Sequence, residues 1–168
     1  SLYIGLTPVL DRFAPDPLSS GFQGRGLIAA AASRAGLDFL PFGSGLGTFA
    51  DAFPRYQLGV MPGFVDHAHN DYAELFLELG VASVAVVALL GAAYLLRWAQ
   101  VLRAGGTRSL DRLQMAAGLG MLAMIVHGLV DFNFHIPANA IYFSFLAGVF
   151  FFTPHREERD LTLPSAAP

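Results

Sequence analysis

The chain has 168 residues, of which 54% are hydrophobic and only 14% are charged, and its mean hydropathy is +0.51. Soluble domains carry about 25% charged residues, so this composition is typical of an integral membrane protein. The formal net charge is −3 and every basic residue is an arginine, which excludes a basic face for nucleic acid. The absence of cysteine excludes disulfides and thiolate metal sites.

Residues 1–78 are rich in glycine, proline and phenylalanine and are predicted to form loops and short helices, not a second soluble domain. One helix is predicted over residues 24–37, "GRGLIAAAASRAGL", with an Ala/Leu/Ile face. A glycine-rich turn, "PFGSGLGTF", is predicted over 41–49. Its N–H groups could cradle an anion, but it lacks the lysine and the preceding strand of a phosphate loop, which favours a plain tight turn. The next stretch, "ADAFPRYQ", is predicted to lie along the surface.

The stretch "VDHAHNDYAELFLELG", residues 65–80, concentrates titratable side chains beside a long uncharged run. In an extended backbone His67 and His69 would point the same way and could bind zinc, with Asp66 or Asp71 as a further ligand. No third convergent ligand stands nearby in the sequence, so no metal is expected. Two interpretations stay open: polar residues that cap a helix at the membrane surface, or one histidine that acts as a base toward a hydroxyl.

A helix is predicted to begin at Asn70, whose side chain is a suitable N-cap, with Asp71 and Glu74 in the first turn. This helix is expected to continue without a break into the first of three uncharged runs. Each run is long enough to cross a membrane. The three predicted spans are Leu79–Leu96, Leu113–Val130 and Ile136–Thr153.

The arginines predict the orientation of these spans, because positive charge is retained on the cytoplasmic side during insertion. The turn "DFNFH" between the second and third spans carries no basic residue other than histidine. The connection between the first two spans and the tail after the third are arginine-rich, and carry Arg97, Arg103, Arg108, Arg112, Arg156 and Arg159. Residues 1–78 are therefore expected to face the outside, residues 79–153 to span the membrane, and residues 154–168 to form a cytoplasmic tail.

Polar residues on the outer side are further candidates. In "HGLVDFNFH", His127, Asp131 and His135 would share one face if the helix continued, although Pro137 and the membrane boundary predict that it stops near Asp131. A functional role and a hydrated helix end remain equally open there. His127 is expected about one turn inside the span, facing a protein interior or cavity. The insertion rule gives no reason for the outer arginines Arg25 and Arg34. A lone exposed arginine is usually only solvated, but beside a membrane these two are also candidates for binding a lipid phosphate or pyrophosphate.

Four stretches occur in a fixed order over about residues 20–150: "GR" at 24–25, "PFGSGLGTF", "DHAHNDYAELFLELG" and "HGLVDFNFHIPANAIYF". Together they resemble the bacterial O-antigen ligase and polymerase-like family. The resemblance implies an inner-membrane glycosyltransferase that works on the periplasmic side. It would move a glycan from an undecaprenyl-pyrophosphate carrier onto lipid A–core or a glycan acceptor, without metal, nucleotide or other cofactor.

The resemblance also implies roles for particular residues. His69 matches the histidine thought to activate the acceptor hydroxyl, and Arg25 matches the arginine expected to bind the carrier pyrophosphate. Asn70, Asp131 and His135 lie in family motifs and are expected to contribute to substrate binding. Arg34 is expected to do so as well, on the ground of its outer position and not of the resemblance. Family members have many more spans than three, so the chain looks like the C-terminal part of such an enzyme.

Two other functions stay open. A polymerase of the same family would join carrier-linked repeat units to one another, and nothing in these motifs separates it from a ligase. A non-catalytic transport or assembly subunit would have the same membrane composition. It would tolerate the loss of His69 and Arg25.

Overall fold

The computed structural model describes residues 22–59, 61, 63–105 and 109–153. Within them every regular element is helical, which confirms the all-α prediction. The helices are α1 (Phe22–Asp38), α2 (Phe49–Ala52), α3 (Asp71–Leu79), α4 (Val81–Arg103), α5 (Ser109–His127) and α6 (Pro137–Phe151). Two 3₁₀ turns complete them, Phe53–Arg55 and Asn133–His135. The tail predicted over 154–168 and Arg108 lie outside the described residues.

Two helices are long and apolar enough to cross a membrane. Helix α4 has 23 residues and α5 has 19, lengths of about 34 and 28 Å at 1.5 Å per residue. Nearly all of α4 is exposed, including Leu89 at 70% and Leu90 at 67%. An apolar helix that does not bury itself in its own chain requires an apolar surrounding.

The third predicted run forms a shorter helix. Helix α6 has 15 residues, about 22 Å, whereas a bilayer core is about 30 Å thick. Its sequence is apolar on every side, as "AIYFSFLAGVFF" indicates. The described residues thus contain two candidate spans and one shorter apolar helix.

The prediction of an unbroken helix from Asn70 into the first span is wrong. Helix α3 ends at Leu79 and α4 begins at Val81, with Gly80 between them at φ +56° and ψ −132°. The chain breaks here because the turn after α1 packs against the junction: the Val81 N–H donates to the Pro41 carbonyl at 3.0 Å. A Cβ at Gly80 would collide with the Pro41 carbonyl oxygen, so only glycine fits.

Helices α1 and α3 pack together over a hydrophobic core of their own. The predicted helix over 24–37 is confirmed, but the face it buries consists of Ala31, Ala32 and Ala35, while Leu27 and Leu37 are exposed. The stretch "ADAFPRYQ" does not lie wholly on the surface. Its Phe53 is fully buried and stacks on Phe49 with ring centroids 4.8 Å apart.

A second core joins α4, α5 and α6, and consists of Tyr94, Val101, Ala117, Met121 and Phe150. Next to this core, Arg97 of α4 donates from Nε to the Phe150 carbonyl at 2.8 Å and from Nη2 to the Phe152 carbonyl at 2.7 Å. These carbonyls belong to the C-terminal end of α6, which a cation stabilises. The opposite end of α5, at His127, leads directly into the polar residues described next.

Candidate functional site

The loop before α3 places its two histidines in different directions. His69 has φ +51°, the positive-φ region that non-glycine residues seldom occupy. Asn70 then returns to an extended conformation, and its Oδ1 accepts the N–H groups of Tyr72 at 3.0 Å and Ala73 at 2.9 Å. The predicted N-cap at Asn70 is therefore confirmed. The turn at His69 rotates its side chain away from that of His67, so the two do not form the considered chelate.

Two residues from distant parts of the chain, Arg25 and His69, meet at the carboxylate of Asp131. We call these three residues the Asp131 cluster. Arg25 Nη1 lies 3.3 Å from Asp131 Oδ2, and His69 Nδ1 lies 3.5 Å from Asp131 Oδ1. The second distance is long for a hydrogen bond, as is common in catalytic pairs without substrate. Two of the strongest sequence candidates thus share one carboxylate.

The electrostatics of this cluster favour an ionised Asp131. Partial burial by itself would raise the pKa of Asp131. Hydrogen bonds from the Phe132 N–H and from His69, together with the charge of Arg25, outweigh that effect and hold the pKa below its ordinary 3.8. A carboxylate opposite Nδ1 of His69 favours the tautomer with the proton on Nδ1, which leaves Nε2 with its lone pair.

A second group, which we call the Glu74 cluster, consists of His67, Asp71, Glu74 and His135. Glu74 Oε1 lies 2.9 Å from His67 Nδ1 and 3.2 Å from His135 Nε2. His135 Nδ1 lies 3.0 Å from Asp71 Oδ1. The second oxygen of Glu74 accepts the Ala68 N–H at 2.8 Å. Glu74 is 1% exposed and Asp71 5%, so both carboxylates are buried in this contact.

The hydrogen bond with Asp71 raises the pKa of His135 above its ordinary 6.5. Burial acts in the opposite direction, and the charges of Glu74, Asp71 and Glu78 add to the increase. A protonated His135 balances part of the negative charge of two buried carboxylates. The expected role of His135 in substrate binding thus competes with a clear structural role.

The ring of Phe132 lies between the two clusters. It stacks on His67 with centroids 4.5 Å apart and meets the edge of His69 at 5.1 Å. The turn that carries it is held to the start of α3, because Asp71 accepts the Phe134 N–H and donates its own N–H to the Gly128 carbonyl. The two clusters are therefore neighbours, and the same contact between this turn and the start of α3 holds both in place.

Asn70 and Arg34 take other positions. Beyond its capping bonds, Asn70 donates from Nδ2 to the Leu129 carbonyl at 2.8 Å, so its amide mainly holds the loop to the end of α5. Arg34 follows Arg25 by nine residues, or two and a half helical turns, and so lies on the opposite side of α1. It is exposed and makes no hydrogen bond or ion pair within the described part of the chain.

His127 was expected one turn inside a span, and this is wrong. It is the last residue of α5, it is exposed, and its Nδ1 lies 2.7 Å from Asn133 Nδ2. The uncharged run continues to Val130, but residues 128–130 already form a turn. The helix does not continue past Asp131, because the Asn70 and Asp71 contacts occupy the Leu129 and Gly128 carbonyls, which residues 133 and 132 would otherwise use.

The glycine-rich turn uses its N–H groups internally. Ser44 N–H donates to the Leu77 carbonyl and Gly45 N–H to the Glu78 carbonyl, both at 2.9 Å. These carbonyls at the end of α3 would otherwise lack partners. The interpretation as a tight turn is therefore supported, and an anion could bind those two groups only by displacing helix carbonyls.

From the sequence, Glu74 was expected only in the first turn of the helix, and Asp71 was expected there and considered as a further ligand of the His67/His69 zinc chelate. Their spacing of three residues puts both on one face of α3, which is a visible signal. Nothing local indicates that this face would meet His135, more than 60 residues later. Comparison with protein-family models, with curated proteins and with solved structures finds no match for this chain.

Proposed function

We propose that the chain belongs to a membrane glycosyltransferase that takes a glycan from a polyprenyl-pyrophosphate donor, of the O-antigen ligase type. The observation that supports it is the Asp131 cluster. An arginine and a histidine, 44 positions apart in the sequence, are held by one carboxylate beside two candidate membrane helices. A hydrophobic lipid donor requires its binding groups at such a boundary.

Arg25 is suited to the pyrophosphate. Its side chain is 42% exposed, and its one hydrogen bond within the described residues goes from Nη1 to Asp131. The remaining guanidinium N–H groups are available to phosphate oxygens, and a planar guanidinium binds them in pairs. Asp131 fixes the direction of the side chain without covering it.

His69 is suited to the acceptor hydroxyl. With Nδ1–H directed at Asp131, Nε2 takes the proton of the hydroxyl as the acceptor oxygen bonds to the anomeric carbon. The bond from that carbon to the pyrophosphate oxygen breaks, and its electron pair leaves with the pyrophosphate. Arg25 stabilises the charge that develops there, and Asp131 stabilises the imidazolium. In-line attack inverts the anomeric centre.

The arginines support an outer location for this chemistry. Arg97 and Arg103 lie toward the C-terminal end of α4, whereas the Asp131 cluster follows the C-terminal end of α5, about 28 Å along that helix from its start. With the arginine-rich end in the cytoplasm, the cluster faces the periplasmic side of the inner membrane. The third span, in this proposal, is α6 together with its flanking residues.

Transfer from purified undecaprenyl-pyrophosphate glycan by the full-length protein tests the proposal. His69→Ala should reduce the rate by about two to four orders of magnitude while donor binding stays intact. Arg25→Ala should weaken donor binding and slow the chemistry, and Arg25→Lys should restore only part of both. Arg55→Ala, which removes an exposed arginine from the same segment, is the matched control and should leave both quantities unchanged.

Near-normal transfer by His69→Ala would contradict the role of the base. Offering lipid A–core and a second carrier-linked glycan as separate acceptors distinguishes a ligase from a polymerase. If neither acceptor is used by the wild-type protein, the non-catalytic transport or assembly role becomes the better explanation.

A further inference from the structure

The Glu74 cluster offers a ligand set that the proposed reaction does not use. One donor atom each from His67, Glu74 and His135 lie within 4.8 Å of one another. We propose that this cluster is a binding site for a divalent transition-metal ion of the zinc type. The ion would be held by His67 Nδ1, Glu74 Oε1 and His135 Nε2. The inference does not depend on the proposed glycosyl transfer.

The distances are close to what such an ion requires. Zinc binds imidazole nitrogen and carboxylate oxygen at about 2.0–2.2 Å, which puts tetrahedral ligand atoms about 3.3 Å apart. Glu74 Oε1 already lies 2.9 Å and 3.2 Å from the two histidine nitrogens. The two rings lie beside each other at this oxygen, with centroids 5.1 Å apart and planes tilted by 45°. The three donor atoms lie within 4.8 Å of one another, so binding requires the side chains to draw them closer around the ion.

The hydrogen bonds around the ligands have the arrangement found in metal sites. A ligating histidine usually donates its other ring nitrogen to a carboxylate, and ligating carboxylates are themselves hydrogen-bonded. His135 makes the first of these contacts, from Nδ1 to Asp71 at 3.0 Å. Glu74 makes the second, through Oε2 to the Ala68 N–H at 2.8 Å. Phe132 stacks on His67 and limits the rotation of its ring.

Charge gives a reason for the ion. Helix α3 buries Asp71, Glu74 and Glu78, each 5% exposed or less, and buried carboxylates need positive partners. Within the described residues, the side chains paired with Asp71 and Glu74 are two histidines, which carry a charge only when protonated. A divalent ion would place positive charge directly between the buried carboxylate of Glu74 and the two rings.

The chemistry of the donors selects the kind of ion. Two imidazoles and one carboxylate suit zinc and similar transition metals, whereas magnesium and calcium prefer oxygen ligands alone. The side chains of His67 and His135 are 28% and 29% exposed, which leaves access for entry and for water as the fourth ligand. The ion would join the loop before α3 to the turn after α5.

Titration of the purified full-length protein, stripped with EDTA, with Zn²⁺ alone tests the site. Isothermal calorimetry should show one ion per chain, and Mg²⁺ should not compete. His67→Ala and Glu74→Gln should weaken binding at least tenfold. Asp71→Asn, which removes no ligand but alters the carboxylate that supports His135 and the Phe134 N–H, should weaken it about 10- to 100-fold. Zn²⁺ should also raise the melting temperature of the wild type, and the increase should vanish in His67→Ala.

His127→Ala is the matched control, since it removes an exposed histidine whose hydrogen bond goes to Asn133, outside the ligand set. It should bind Zn²⁺ as the wild type does. A wild-type protein with no saturable binding would overturn the proposal, and this result needs no variant to fold. Binding that survives both His67→Ala and Glu74→Gln, or that is lost equally in His127→Ala, would overturn it as well.

Discussion

The backbone of His69 has φ +51°, a conformation that costs a non-glycine residue about 1–2 kcal/mol. Its neighbours impose this conformation. Asn70 must be extended to cap α3, and Ala68 must present its N–H to Glu74. Strained residues that surrounding contacts hold in place are concentrated at functional sites. The strain at His69 is consistent with a side chain kept for its chemistry.

A pair of substitutions separates the strain from the chemistry. Glycine adopts positive φ without cost, so His69→Gly should be more stable than His69→Ala by about 1 kcal/mol. Both variants should lose transfer to the same extent. Thermal unfolding in detergent gives the first comparison and the transfer assay the second. An alanine variant as stable as the glycine variant would argue against strain at this position.

The lowered pKa of Asp131 predicts a dependence of stability on pH. A carboxyl whose pKa is lower in the folded chain stabilises the fold above its unfolded pKa, and this contribution disappears as the pH falls through the folded-state pKa. The groups facing Asp131 are Arg25 from α1 and His69 from the loop. The wild type should therefore lose stability as the pH is lowered through and below about 4.

Asp131→Asn removes the titrating group and should flatten the acid side of a plot of melting temperature against pH. The exposed Asp51 on α2 provides the control, and Asp51→Asn should retain the wild-type curve. Identical curves for wild type and Asp131→Asn would mean that the contacts of Asp131 do not stabilise the folded chain.

At the scale of elements, the glycine-rich turn is the support for the end of α3. Gly43 has φ +79°, and a Cβ there would lie 2.6 Å from the Leu79 nitrogen and collide with the Glu78 carbonyl. Gly47 has nearly the same φ, +73°, but a Cβ there would meet nothing within 4 Å. The two positions have the same backbone requirement and differ in packing.

Alanine at these positions measures the two effects separately. Gly47→Ala should lower the free energy of unfolding by about 1–2 kcal/mol, because alanine must then adopt a positive φ. Gly43→Ala should cost that and about 1–3 kcal/mol more, because backbone atoms of α3 must move to admit the methyl group. Thermal unfolding of both variants tests this, and equal losses would mean that the turn does not pack tightly on α3.

At the scale of the whole molecule, orientation in the membrane decides whether the Asp131 cluster can meet a periplasmic donor. The cysteine-free chain allows a direct measurement in intact cells. Phe64→Cys, in the exposed loop before α3, should react with a membrane-impermeant thiol reagent, whereas Ser109→Cys at the start of α5 should not. The reverse pattern would place the cluster in the cytoplasm and exclude the proposed donor.

Much of the fold follows from local patterns in the sequence. The uncharged runs predict the positions of α4 and α5, the alanine-rich stretch predicts α1, and Asn70 followed by acidic residues predicts the start of α3. These features depend on residues within a few positions of one another. Hydrophobic periodicity and helix caps express their preferences at that range.

The break at Gly80 and the grouping of the polar side chains were decided by tertiary structure alone. The break depends on Pro41 and Gly43 packing against the end of α3. His67 and His69 are almost adjacent in the sequence, yet one pairs with Glu74 and the other with Asp131. The loop that returns residues 131–135 to the start of α3 creates the second pairing, and with it the contacts of His135 with Asp71 and Glu74. Contacts across 60 residues or more depend on how whole helices pack, and a local sequence pattern carries no information about that packing.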